Sequence, residues 1–306
     1  MNQPVHKTVI IIAGPTAVGK TAAAISLAKH YGTEIISADS RQCYKELNIG
    51  VARPSPEQLM EVPHHFIASH SIQEEVNAVV FENYALEKVK QIHQQNDLAV
   101  MVGGTGFYIR AFTEGLDDIP PVSPGTRALI NKQFSEKGLS WLQQQVKEKD
   151  PLFFKQGEVL NPQRLIRALE VFESTGQSIL SFRKGEKATR DFRIIKIALE
   201  LPKEQLHQNI YHRTEEMINQ GLVGEVQSLE KYKHLNALRT VGYTEIFNFL
   251  DQKISLEEAI GQIKINTRQY AKRQLTWFKK DSAYTWFPPT DLENIVSYID
   301  NQLNNY

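Results

Sequence analysis

The stretch GPTAVGKT, Gly14 to Thr21, fits the pattern G-x-x-x-x-G-K-[ST], a loop whose backbone N–H groups wrap around phosphate. Gly14 permits the tight turn, and Gly19 lets the backbone approach the ligand, with Pro15, Thr16, Ala17 and Val18 forming the wrap between them. Lys20 supplies positive charge to the phosphates and Thr21 offers a hydroxyl to Mg²⁺. A helix starting at this point adds its N-terminal dipole to the anion site. The pattern says that phosphate is held, not whose. In most chains with this loop it belongs to ATP or GTP, and a hydrolytic site then holds its metal with an acid at the end of a later strand. Here the later strand, LAVMVGGTG, ends in glycines and Thr105. The nearby strand-end acid is Asp39. A carboxylate there could bind metal, accept a proton from a nucleophile, or do no more than close a turn.

Basic residues are the second resource. Arg164 and Arg167 stand at i, i+3, and Lys264, Arg268 and Lys272 at i, i+4, i+8, so each set shares a helix face. Between Ala259 and Lys280 there are six basic residues and no acidic one. Singly, each suits a solvated surface. Together with Tyr270, Trp277 and Phe278 they also suit an RNA backbone and splayed bases. The formal net charge is zero, so any nucleic-acid contact must come from such local patches. The single cysteine, Cys43, excludes a disulfide framework and reads as a small buried residue. His64, His65 and His70 lack the partners of a zinc set. Trp141, Phe153 and Phe154 read as core.

These residues need a scaffold that brings them together. TVIIIA is a continuous β-branched run, as expected of a parallel strand covered on both faces. It is followed by the phosphate loop and an Ala-rich helix closed near Gly32. EIISADS is a second strand ending near Asp39, a helix runs from Phe81 to Gln95, and LAVMVGGTG is a third strand. Strands alternating with helices predict a doubly wound parallel sheet, whose ligands sit beyond the carboxyl ends of the strands. Gly14–Thr21, Asp39–Gln42 and Gly103–Tyr108 should therefore share one rim. The run GLDDIPPVSPG, Gly115 to Gly125, and the charged run from Arg183 to Asp191 mark boundaries. Between them, NPQRLIRALEVFESTG carries a complete set of helix signals: Asn161 as cap, Pro162 in the first turn, Gly176 as stop, and an apolar stripe of Leu165, Leu169 and Phe172. RIIKIALEL then returns as a strand. A last helix of about 25 residues starts at the Ser255–Glu258 capping box and has a core stripe of Leu256, Ile260, Ile263, Thr267, Ala271 and Phe278. The expected organisation is a P-loop NTPase-like α/β core of residues 1–118 and 192–306, with a helical insertion domain over residues 119–191, within a chain of 306 residues. The apolar run Val9 to Ala13 is too short for a signal peptide or a membrane span, and the scarcity of cysteine suits a reducing compartment, so a cytoplasmic protein is expected.

The segments GPTAVGKT, SADSRQCYKELNIG, VGGTGFYIRA, NPQRLIRALEVFESTG, GLVGEV, TVGYTEI and TRQYAKRQLTWF resemble, in order and across nearly the whole length, the tRNA dimethylallyltransferases. The resemblance implies transfer of a dimethylallyl group from its diphosphate to N6 of the adenine next to the anticodon in tRNA. It implies Mg²⁺ as cofactor, a tRNA anticodon stem-loop and dimethylallyl diphosphate as partners, no membrane, and a monomer. The phosphate loop would then hold a diphosphate leaving group, with Lys20, Thr21 and Arg213 offsetting its charge. Asp39 would be the general base and Thr105 would lie beside the reacting centre. Asp39, Ser40, Arg41, Gln42 and Thr105 would meet the target and flanking bases. Arg127, Gln163, Arg164, Leu165, Ile166, Arg167, Arg268 and Lys272 would contact tRNA. After ELNIG the family usually has Thr-Ala-Lys-Pro where this chain has Val51, Ala52, Arg53 and Pro54, so the charge is kept, the hydroxyl is lost, and no polar role is expected of the Val51 side chain. Relatives in eukaryotes carry an extra C-terminal zinc finger, and this chain resembles the bacterial form. Two other functions fit parts of the pattern: an ATP-dependent small-molecule kinase with Asp39 activating a hydroxyl, and a non-catalytic RNA-binding protein with a vestigial phosphate loop.

Overall fold

In a computed structural model, which describes residues 7–304, the chain forms two compact units. One is built from the chain up to Glu114 and from Thr189 onward, the other from Gly115–Ala188. In the larger unit the order is β1 (Thr8–Ala13), α1 (Lys20–His30), β2 (Ile35–Ser37), α2 (Pro56–Glu61), β3 (His64–His65), α3 (Ala78–Ile92), β4 (Leu98–Gly103) and α4 (Gly106–Glu114). The smaller unit contributes α5 (Pro124–Lys149), α6 (Pro151–Gln156) and α7 (Pro162–Thr175). The larger unit resumes with β5 (Arg193–Leu199), α8 (Lys203–Asn219), α9 (Leu222–Ser228), α10 (Tyr243–Leu250), α11 (Leu256–Phe278), β6 (Thr285–Phe287) and α12 (Leu292–Asn304).

The six strands form one sheet in the order β3-β2-β4-β1-β5-β6, and every pairing is parallel. The sheet is covered on both faces by helices. Val9, Ile10, Ile11, Ile12 and Ala13 of β1 are all fully buried, as an uninterrupted apolar strand requires. Ile10, Ile12, Ile35, Val100 and Ile197 pack with Ala24, Leu27 and Ala28 of α1 and with Ile295 and Ile299 of α12. Because β2, β4 and β1 are neighbours, the loops that follow them lie side by side at the carboxyl edge. Helix α3 starts three residues earlier, in sequence numbering, than the apolar spacing from Phe81 implies, since the Asn77 side chain accepts from the N–H groups of Val79 and Val80 and caps it there.

The smaller unit has its own core, in which Leu142 and Val146 of α5, Phe153 of α6, and Leu165 and Leu169 of α7 pack together. Helix α5 is interrupted at Gly138, whose φ of 74° is not helical. Asn161 caps α7 through the N–H groups of Gln163 and Arg164, and Gly176 closes it at φ 69°. Phe153 is buried, with Trp141 and Phe154 packed against the same core.

One contact limits how the carboxyl edge can be built. A side chain at Gly103 would place its Cβ 2.2 Å from the Ala38 carbonyl oxygen, a distance that backbone movement alone can relieve. Gly103→Ala is therefore expected to lower stability by about 2 kcal/mol or more, measured as a reduced midpoint in urea unfolding.

Candidate active site

At the phosphate loop, the Cβ of any other residue at position 14 would sit 2.7 Å from the Leu199 carbonyl, with φ at 147°. Gly19 turns into α1 at φ 100°, and Ala17 is held at φ 63°, a left-handed conformation unusual for a residue with a Cβ. The loop is fastened from outside itself. The Gln274 side chain accepts from Thr16 N–H at 2.8 Å, Arg213 donates to the Thr16 hydroxyl at 2.5 Å, and Asn209 donates to the Ala17 carbonyl at 3.1 Å. Lys20 donates to the Pro15 carbonyl at 2.6 Å. Burial pushes the Lys20 ammonium down to about 7; the Asp39 carboxylate pulls it back up and the Arg213 charge pushes it lower. Burial also lowers Arg213, again against the pull of Asp39. Asp39 thus faces two cations, of which Arg213 is also drawn up by Glu216, and an anion in the loop would favour the charged forms of both.

Asp39 follows β2. Its Oδ1 accepts from the N–H groups of Arg41 at 2.8 Å and Gln42 at 3.2 Å, which is the turn-closing role open to this residue type. Both bonds fall on Oδ1, so Oδ2 has no hydrogen-bond partner among the described residues. The loop after β4 lies alongside: Ser40 N–H donates to the Thr105 hydroxyl at 3.1 Å, and that hydroxyl reaches Ser40 Oγ at 3.4 Å. Tyr270 of α11 stands within hydrogen-bonding reach of Thr105, its hydroxyl pushed up to about 12 by burial.

A cavity of about 570 Å³ runs from the phosphate loop past Asp39, and Lys20, Thr21, Ser37 and Arg213 open onto it. A smaller one of about 110 Å³ lies on the Tyr270 side, next to Arg41 and Thr267. Thr16, Asp39, Val51, Ala52 and Arg213 line both, so Asp39 stands in the wall between them. The carboxylate therefore separates a compartment lined by the Gly14–Thr21 loop from a second one, an arrangement that would suit group transfer between two substrates.

The wall carried by Gly50–Ala52 is held by a residue whose role the motif GLVGEV does not reveal. Glu225 accepts from the N–H groups of Asn48, Ile49 and Gly50 at 3.2, 2.8 and 3.0 Å and from the Tyr243 hydroxyl at 2.5 Å. Gln42 donates to the carbonyls of Val51 and Ala52 at 3.2 and 2.9 Å, so position 51 acts through its backbone. Arg53 turns inward and donates to the carbonyls of Tyr44, Lys45 and Leu47. His64 opens onto the larger cavity, with Nδ1 bonded to the Val62 carbonyl at 2.7 Å. No group of three or more potential metal-binding His, Cys, Asp or Glu residues occurs among the described residues. Cys43 is buried.

The basic residues divide. On α11, Lys272 is exposed, whereas Arg268 donates to the Tyr211 hydroxyl at 2.6 Å and Lys264 pairs with Glu215 at 2.8 Å. Phe278 belongs to the core, while Trp277 is 37% and Phe107 45% exposed, with the Arg110 guanidinium 5.8 and 5.4 Å from their rings. In the smaller unit Arg127 and Arg167 pair with the buried Glu170 at 3.1 and 3.6 Å, and Arg164 pairs with Glu158. Gln163 is exposed on the first turn of α7. Leu165 and Ile166, by contrast, are 0% and 5% exposed. A run of five consecutive helical residues cannot present all its side chains to one partner, and these two side chains serve the unit's own core.

The parallel sheet, its strand order and the loop between β1 and α1 define a P-loop NTPase-like α/β protein. The chain belongs to the IPP transferase family, whose model matches residues 42–281. A tRNA dimethylallyltransferase of Christiangramia forsetii is 47% identical over 96% of this chain and 98% of its own length, and one from Cytophaga hutchinsonii is 42% identical over 98% of each. The full-length tRNA isopentenylpyrophosphate transferase of Bacillus halodurans superposes with a TM-score of 0.71 at 32% identity, covering 97% of both chains.

Glu225→Ala leaves three backbone N–H groups and a phenol without their acceptor. It is expected to cost about 2–3 kcal/mol, read as a fall of roughly 5–10 °C in the thermal midpoint. Lys20→Met is expected to weaken binding of inorganic diphosphate about 10–100-fold, the range of a charge-assisted contact, as measured by calorimetric titration.

Proposed function

We propose that this chain transfers a dimethylallyl group from dimethylallyl diphosphate to N6 of the adenine adjacent to the anticodon in tRNA, acting as a monomer in the cytoplasm. The observation that carries this reading is the position of Asp39, in the wall between the phosphate-loop cavity and the smaller cavity beside Tyr270. Its family membership and the names of its relatives support the same reaction. No helix among the described residues is long and apolar enough to cross a membrane.

In this mechanism the diphosphate lies in the Gly14–Thr21 loop and the adenine approaches from the Tyr270 side. The lone pair of N6 is delocalised into the ring, so the amine is a poor nucleophile that becomes acidic as it bonds to carbon. N6 forms a bond to the allylic carbon, the carbon–oxygen bond to the diphosphate breaks, and the N6 proton passes to Asp39. The turn formed by the Arg41 and Gln42 N–H groups fixes Oδ1 and leaves Oδ2 as the acceptor. Lys20 and Arg213 stabilise the negative charge that develops on the leaving group. Thr105 orients the Asp39 turn through Ser40.

The donors present suit Mg²⁺ bound through substrate, since Thr21 brings a hydroxyl to the cavity and Mg²⁺ in phosphate sites takes most of its oxygens from phosphate and water. When bound it offsets diphosphate charge. Ser40, Arg41 and Gln42 adjoin the target base. Lys272 and Arg268 of α11, and Arg127, Gln163, Arg164 and Arg167 of the smaller unit, contact the anticodon stem-loop, the paired arginines exchanging their carboxylates for phosphates. Leu165 and Ile166 support that surface from beneath. Taking the adenine out of its stack costs a few kcal/mol, which these contacts offset.

The direct test is incubation with tRNA, dimethylallyl diphosphate and Mg²⁺, followed by mass analysis of the anticodon-loop adenine. Absence of prenylated adenosine, with an active control enzyme alongside, rejects the reading. Asp39→Asn keeps an oxygen to accept from Arg41 and Gln42 but removes the proton acceptor. It should bind diphosphate normally and lose about 10²–10⁴-fold in single-turnover rate; a rate within tenfold of the parent rejects Asp39 as the base.

A further inference from the structure

Helix α11 carries an apolar stripe into the core, and at one stripe position it carries an amide. Gln274 is 6% exposed, and both ends of its side chain are used. Oε1 accepts from Thr16 N–H in the phosphate loop at 2.8 Å, and Nε2 donates to the Gly104 carbonyl after β4 at 2.9 Å. The partners fix the amide orientation, because the reverse placement would set donor against donor and acceptor against acceptor. The amide also explains Gly104: a Cβ there would lie 2.1 Å from Nε2 and 3.4 Å from the Gly14 carbonyl.

From Gly104 the connection continues. Thr105 N–H donates to the Ala38 carbonyl at 3.2 Å, and the Thr105 hydroxyl accepts from Ser40 N–H, next to Asp39. Thr16, Gln274, Gly104, Thr105 and Ser40 thus form an unbroken path from the loop that holds the phosphate to the turn that holds the carboxylate. The N–H of Thr16 is committed to Gln274 and so is not one of the loop's phosphate donors.

We propose that Gln274 is a positioning residue that sets the separation between the phosphate loop and the Asp39 turn, and hence between the leaving group and the base. The inference rests on the reaction assigned above. A buried amide bound to two loop backbones at once is selective for that spacing, and a misplacement of about 1 Å in such an arrangement costs on the order of 10²-fold in rate.

Two variants test it in the full chain. Gln274→Met keeps length and burial but makes neither bond. Its kcat should fall about 10–100-fold, while KM for dimethylallyl diphosphate and for the anticodon stem-loop stays within about threefold of the parent, since neither substrate touches the residue. Its Thr16 amide should exchange hydrogen at least about tenfold faster, because the acceptor is gone. Gln274→Glu can make both bonds only when its carboxyl is protonated, and burial raises that group's pKa toward neutrality or above. Its rate relative to the parent should therefore be highest near pH 6 and fall about tenfold or more by pH 9, with the parent's own pH dependence divided out. Parental Thr16 exchange in Gln274→Met, a kcat within twofold of the parent, or a flat Gln274→Glu ratio overturns the proposal. If the parent forms no prenylated product, the assigned reaction fails. Thr16 exchange then decides alone whether the tie between the loops exists.

Discussion

Between Ala38 at the end of β2 and Gly103 at the end of β4 there is no space for a side chain. Ala38 N–H donates to the Val102 carbonyl at 2.7 Å, and Thr105 N–H donates to the Ala38 carbonyl at 3.2 Å. The two strand ends are thus joined beyond the sheet itself. That approach sets Thr105 against Ser40 and so aims the Asp39 turn. Since β4 also neighbours β1, the same approach brings both loops within reach of the Gly14–Thr21 loop. A Cβ at Gly103 would part the strands, and the candidate base would move with them.

Electrostatics acts on this frame. Lys20 and Arg213 are desolvated, and Asp39 is the carboxylate that counters both. Such an arrangement disfavours its own charges in the absence of an anion, so the proposed diphosphate binding would also relieve a cost of folding. In this state the ammonium of Lys20 rests on the Pro15 carbonyl and the guanidinium of Arg213 on the Thr16 hydroxyl. Both partners are neutral acceptors, and a diphosphate oxygen is a stronger one. In the proposed reaction the cations would thus exchange these neutral acceptors for the diphosphate.

What the sequence disclosed about this structure was local. The phosphate loop is one contiguous motif, β1 is one apolar run, and the ends of α7 are written in Asn161, Pro162 and Gly176, whose caps form as expected. Gln274 and Glu225 act across the fold, at sequence separations of 170 and 258 for Gln274 and 175–177 for Glu225 from the backbone groups they bind. No spacing rule reports such partners. A signal existed for Gln274, an amide at a position where the stripe of Ile263, Thr267, Ala271 and Phe278 goes into the core. Glu225 carried none, because an acid in the first turn of a short helix is ordinary. The strands β3 and β6 were illegible for a related reason: at two and three residues they depend on β2 and β5 rather than on their own propensity. Leu165 and Ile166 show two local readings in competition. They stand in a segment expected to meet tRNA, but periodicity within α7 assigns them to the core, and periodicity prevailed.

Asp39 had three readings in the sequence, a metal ligand, a proton acceptor and a turn residue, and the geometry shows the turn while leaving one oxygen free, among the described residues, for either of the others. Closing the turn occupies Oδ1 with two N–H groups. A carboxylate so held is fixed by two bonds before any substrate enters, so under the proposed reaction its second oxygen would meet the amine without reorganisation, the kind of preorganisation by which fixed polar groups contribute to catalysis. A flexible glutamate at the same rim would have to give up rotameric freedom at the moment of proton transfer. The short side chain and the turn it closes are therefore the means by which a surface-loop residue becomes a rigid part of the wall between two cavities.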